Sequence, residues 1–200
     1  VVAAPARTSA RRLEEVVREK LPWVRRKLAE FEALGPPPGP RQVVAGELFP
    51  YLGREYRLEL ADRPPSPVSL RGDALAIDRA LDGEARAAVV AWYEARAREY
   101  IDAAVTRFVP LVGAAPASVA VRDLGKRRWG VCDHRTLSVS FHWQLVTQPP
   151  ELVDYVVVHE LVHLHEPNHG PRFWRRVEDV LPDCKERRKR LTRRGDQLAF

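Results

Sequence analysis

All six histidines of this chain (134, 142, 159, 163, 165 and 169) fall within 36 residues, and four lie between 159 and 169. The central string is Val156-Val157-Val158-His159-Glu160-Leu161-Val162-His163-Leu164-His165-Glu166-Pro167-Asn168-His169. On a helix, at about 100° per residue, His159 and His163 stand about 40° apart and one turn from each other. Two imidazoles so placed reach one zinc ion, while Glu160 is held beside the metal rather than on it. The chemistry such a set performs is hydrolysis by a metal-activated water, with the carboxylate moving the proton.

Two ligands do not make a tetrahedral catalytic site; three protein ligands and one open position do. His169 is the expected third. Pro167 stops the helix, and Asn168, which tolerates a left-handed backbone, lets the chain double back toward the first pair. The full pattern HExxHxxxxxH is far more specific than HExxH alone. Glu178, from a later helix, and Glu166 are the rival third ligands. His165 lies about 240° around the helix from His159 and is expected to pack on the opposite side. His134 and His142 read as satisfied loop and strand residues.

The elements that must position these groups follow from periodicity. Pro149-Pro150 opens the metal-site helix, expected over about 150–166, with Val156–Val158 as its apolar wall. Ser118–Val121 and Leu137–Phe141 read as strands around a polar loop. Glu84–Val109, with Val90, Tyr93, Ala97, Ile101, Ala104 and Phe108 stepping by three or four, is a long amphipathic helix whose stripe is core. Between Val43 and Asp78, short apolar runs divided by Gly, Pro and Asp predict a small antiparallel β meander, with turns at Leu52–Glu55 and Arg71–Asp73. Pro171–Val180 and Lys185–Arg193 are two final helices. Ser9 caps a first helix reaching to about Leu34, which Pro22 is expected to split. Gly35-Pro-Pro-Pro-Gly-Pro40 is a stiff linker. The domain organisation expected is therefore a helical appendage (1–35), a linker (36–40) and an α+β body (41–200).

The chain has 200 residues, 45% hydrophobic and 30% charged, the composition of a globular protein long enough to bury a core without disulfides. Cys132 and Cys184 form no CxxC pair, so a cysteine-based zinc knuckle is not expected. No apolar run is long enough to cross a bilayer, and Val1–Arg12 has no secretory h-region, so the expectation is a cytoplasmic protein without membrane contact. Net charge is +6, and residues 171–200 carry ten Arg/Lys against five Asp/Glu. Such a tail suits a phosphate backbone or an acidic partner, though charge runs are usually solvated faces.

Taken with Trp129-Gly130-Val131-Cys132, Leu137–Leu145, Pro149–Leu161, Asn168-His169 and Phe173-Trp174, the chain resembles the YgjP-like zinc metallopeptidases, relatives of the WLM and SprT types. The resemblance spans roughly residues 43 to 195. It implies a minimal zincin-like α+β fold, zinc on His159, His163 and His169, and a catalytic Glu160. The chain departs from the family at Val131, where serine is usual, at His142, where asparagine is usual, and at Gln144, near a usual arginine. The departures bear on substrate preference. Zincins commonly hold substrate as a strand added to a sheet edge, and Leu137–Phe141 is the expected edge. His142, Tyr155 and Arg172 are the candidates to stabilise the oxyanion. The expected substrate is a protein or peptide. Two other readings stand beside it: a metal-dependent nucleotide phosphohydrolase, and a DNA-associated protease or zinc-stabilised nucleic-acid-binding module using the basic tail. Oligomeric state is not legible.

Overall fold

The computed structural model describes residues 8–32, 42–125 and 128–194. The chain divides into two units, Val1–Gly39 and Pro40–Phe200. In the first, helix α1 (Ala10–Glu32) is continuous through Pro22, where the sequence predicted a split. Proline removes one backbone donor and crowds the preceding turn. Arg18, whose carbonyl loses that donor, is exposed and has water to turn to. Ser9 caps the helix as expected: its Oγ accepts from the Arg12 N–H at 3.3 Å. The Gly35–Pro40 linker lies outside the described residues.

The second unit is mixed α+β. Strands β1 (Leu48–Tyr51), β2 (Arg54–Ala61), β3 (Val68–Arg71) and β4 (Ala74–Asp78) form one sheet in the order β1-β2-β4-β3. It is a mixed sheet rather than the antiparallel meander expected, because β2 pairs with β4 in parallel, Leu58 opposite Leu75 and Leu60 opposite Ile77. That register puts Leu58, Leu75 and Ile77 into the core together, each at most 1% exposed. Burying this apolar set is what outweighs the turn-driven meander. The β1–β2 turn carries Leu52 and Gly53 at positive φ, 46° and 78°, the backbone of a tight two-residue hairpin. A side chain on Gly53 would press within 3.0 Å of the Pro149 Cα, so this turn packs on the start of the metal-site helix. Leu52 also donates its N–H to the Val146 carbonyl at 2.7 Å.

Helix α2 (Ala85–Val112) then crosses the core, burying Tyr93, Ala97, Ile101, Ala104 and Phe108 along the stripe read from sequence. A second sheet follows in the order β5-β7-β6, from β5 (Ser118–Arg122), β6 (Gly130–Asp133) and β7 (Ser138–His142). Helix α3 (Pro150–Val162) is buried nearly all round, with Val153, Val157, Val158, Leu161 and Val162 at 0% exposure. Helices α4 (Pro171–Val180) and α5 (Cys184–Arg194) close the unit. α5 is tied back to α3, since Arg190 Nη2 reaches Glu151 Oε1 at 2.7 Å and Arg187 Nη1 donates to the Glu151 carbonyl at 2.9 Å.

Candidate metal centre

α3 ends at Val162, and the chain from His163 to Gly170 is a series of tight turns before Pro171 restarts a helix. This break brings His169 back over the helix end. His169 Nε2 sits 2.9 Å from His159 Nε2 and 3.1 Å from His163 Nε2. Three imidazole nitrogens thus converge on one point, and they are the group among the described residues able to hold a metal ion. His163 Nδ1 lies 2.9 Å from the Glu166 carbonyl. A carbonyl only accepts, so Nδ1 carries the proton, and a neutral His163 offers a bare lone pair at Nε2. Donor type, convergence and tautomer all fit a single divalent ion.

The floor of the centre is aromatic. Phe173, fully buried, has its ring centroid 4.8, 4.5 and 4.8 Å from those of His159, His163 and His169. Trp174 stacks on His169 at 5.7 Å, and the Arg188 guanidinium lies 4.6 Å over the Trp174 ring. The Phe173-Trp174 pair therefore anchors the third imidazole. The rivals for that position are engaged elsewhere. Glu178 is bound to Lys185 at 2.6 Å, and the Glu166 carboxylate faces Arg176 at 3.9 Å. His165 donates from Nε2 to the Gly113 carbonyl at 3.2 Å, capping the end of α2.

Glu160 is 6% exposed, and burial pushes its carboxyl up to about 8. Burial drives His159 the other way, down to about 3, with the His163 and His169 charges adding to the effect. Its Nδ1 is buried without a hydrogen-bond partner among the described residues. These opposed shifts give the metal-free protein a defined pH profile. An unfolded histidine protonates near 6.5. The folded His159 resists protonation to about 3, so its contribution is lost as pH falls from 6.5 toward 3. An unfolded glutamate ionises near 4.5, whereas folded Glu160 holds its proton to about 8, so stability is lost as pH rises through that window. Between 4.5 and 6.5 the Glu160 slope opposes that of His159, to which burial of His142 and His163 adds, so calorimetry on chelator-treated protein should show the Glu160 decline unopposed only above 6.5. Glu160→Gln removes the alkaline arm. At about 1.4 kcal/mol per pH unit, even half of the effect raises metal-free stability at pH 8 by roughly 2 kcal/mol. A variant no more stable than its parent at that pH would contradict the burial assigned to this carboxyl.

The three imidazoles and Glu160 open on a cleft of about 310 Å³, whose opposite wall is Gly130, Val131 and Cys132 of β6 with His134 from the turn after it. Two expectations are corrected here. The expected edge, Leu137–Phe141, falls on β7 (Ser138–His142), which is the central strand, paired with both β5 and β6. β5 and β6 are the edges of this sheet, and the edge lining the cleft is β6, which falls in the segment expected as a polar loop. His134, read as an ordinary loop residue, stands at the cleft. None of the oxyanion candidates lines the cleft, although the Tyr155 ring lies 5.8 Å from that of His159. His142 accepts the Gln144 N–H on Nδ1 at 3.0 Å and meets Asp123 through Nε2 at 3.2 Å. Burial holds its pKa below the usual histidine range, against the pull of Asp123. Tyr155 is buried, with its phenol pushed up to about 12 by that burial. Arg172 is exposed on α4 and outside the residues lining the cleft.

A mixed α+β frame that holds three histidines and a buried glutamate at one cleft is the kind of site a metal-dependent peptidase carries. The chain belongs to the YgjP-like family: the model of the YgjP-like metallopeptidase domain matches residues 1–194. Membership makes it a metallopeptidase and implies a metal ion. The match also takes in α1, which the resemblance read from residues 43 to 195 did not. Among solved structures it is similar to the metallopeptidase zymogen of Pyrococcus abyssi abylysin, at 21% identity and a TM-score of 0.44, over 50% of this chain and 99% of that one. No curated protein matches the chain. Among the described residues no helix is long and apolar enough to cross a membrane.

Proposed function

We propose that this chain is a zinc-dependent metallopeptidase in which His159, His163 and His169 hold the ion and Glu160 is the general base and acid. The observation that carries the reading is the convergence of three Nε2 atoms at 2.9 and 3.1 Å beside a buried carboxylate. Zinc, when bound, lowers the pKa of a water toward neutrality and polarises the scissile carbonyl. The rest is done by the protein's own groups. His163 is fixed in its ligand tautomer by the Glu166 carbonyl. Glu160 accepts the proton of the attacking water at a carboxylate oxygen and returns it to the leaving amine nitrogen. Its burial keeps that oxygen out of bulk water, and a bound cation would oppose the upward shift that burial causes, leaving the base ionised at neutral pH. β6, hydrogen-bonded only to β7 within its sheet, offers its other side to an extended peptide.

Peptide hydrolysis is favoured over the other readings by the state of the basic tail. Lys185, Arg187 and Arg190 are paired with Glu178, Asp183 and Glu151, and Arg188 lies over Trp174. Part of the charge that suggested nucleic acid is therefore engaged within the protein, by acids on α3 and α4 and immediately before α5 and by the Trp174 ring. The discriminating experiment assays unstructured protein and a panel of nucleoside triphosphates, with and without chelator. Chelator-sensitive cleavage of protein, with triphosphates intact, is expected; the reverse pattern would overturn the reading.

A further inference from the structure

β6 is pinned to β7 at its first residue and at the residue before it. Gly130 is paired with Phe141 of β7, and the preceding Trp129 carbonyl accepts the His142 N–H at 2.9 Å. Facing it is α3, whose packing is fixed by Val157 and Leu161 at 0% exposure. The Glu160 side chain occupies the space between strand and helix. A Cβ built on Gly130 would lie 2.6 Å from Glu160 Cγ, 2.7 Å from Oε1 and 2.9 Å from Cδ. Ordinary contact begins near 3.4 Å, so an alanine here displaces the carboxylate, or strand and helix, by about 0.8 Å. The Gly130 backbone is not in the left-handed region, so its torsions do not call for glycine. Space does. Two positions along a strand share one face. Cys132 accordingly lies close enough for the Glu160 charge to help raise its thiol, after burial, to about 11.

We propose that Gly130 is a positioning residue for the hydrolytic step: the side chain it lacks is the seat of the Glu160 carboxylate, and β6 sets how far that carboxylate stands from the imidazoles. This rests on Glu160 being the base. It gives the cleft-lining strand a second task beside presenting substrate, and explains why a residue that weakens a strand stands in a strand of four.

The test is a stability cycle together with kinetics. In chelator-treated protein, Gly130→Ala is expected to lower Tm in the parent background and to do so much less in a Glu160→Ala background, where the crowding atoms are gone. An equal loss in both backgrounds overturns the proposal. Should Gly130→Ala fail to fold, a folded Gly130→Ala/Glu160→Ala double variant supports the contact, and an unfolded one overturns it. In zinc-loaded protein, Gly130→Ala is expected to keep one ion per chain, since no ligand is touched, and to lose roughly 10²-fold in kcat with KM changed less than about threefold. Parental kcat, or loss of the ion, overturns the positioning role. The stability cycle reads the contact whether or not Glu160 is the base. Full turnover by Glu160→Gln would therefore sink the reading underneath, separately from the contact.

Discussion

Glu160→Gln is expected to bind one zinc per chain, as the parent does, and to lose roughly 10³-fold in kcat/KM, nearly all of it in kcat. Glutamine keeps the size of the side chain and so the packing against β6, where Gly130 leaves it room. What disappears is the ability to take up a proton. A positioned general base is worth about 10²–10⁴-fold, and an interaction made only on the way to the transition state is lost from kcat rather than KM. The variant should also be the more stable protein at alkaline pH once metal is removed, because burial alone disfavours the ionised carboxyl. Loss of turnover with gain of stability is a combination that general damage to the fold does not produce. Retained turnover would remove Glu160 from the reaction.

The second large effect belongs to His169. It stands furthest from α3, whose last turn carries His159 and whose C-cap is His163, and it is delivered by the turns after Val162 and held by Phe173 and Trp174. His169→Ala leaves two nitrogens on one helix face, with no rival in reach: Glu178 and Glu166 face Lys185 and Arg176. Altering a residue that merely supports a ligand costs about 10–100-fold in metal affinity, so losing a ligand should cost at least ~10²-fold. Dialysis against a mild chelator should then strip His169→Ala while leaving the parent loaded. His165→Ala, two residues beyond His163, is the control, because its ring serves the Gly113 carbonyl, and its zinc content should not change. If His169→Ala retained metal and His165→Ala lost it, the ligand set would have to be redrawn.

The metal-site helix was legible because its signals are local. His159 and His163 stand one helical turn apart by period alone, but the helix ends at Val162 rather than near 166, so the break that returns His169 begins at His163, before Pro167 is reached. The stripe of α2 was legible for the same reason. What could not be read is whatever depends on partners distant in sequence. β6 is four residues long, carries a glycine and ends in an aspartate, so it has no alternation to announce it; its existence depends on pairing with β7. Without β6 in view, β7 looked like an edge. The parallel pairing of β2 with β4 likewise comes from core burial of Leu58 and Leu75, not from the intervening turns. The role of Gly130 is invisible in one dimension, since the atoms that require it belong to a residue thirty positions later.

The hydrolytic centre is defined by what surrounds the ion in zinc-loaded protein, and X-ray absorption at the zinc edge reads that shell directly. Three imidazole nitrogens and one light-atom solvent ligand, at about 2.0–2.1 Å, are expected. A sulfur scatterer at about 2.3 Å would bring Cys132 of the cleft wall into the shell, close the solvent position and contradict the hydrolytic centre described for this chain.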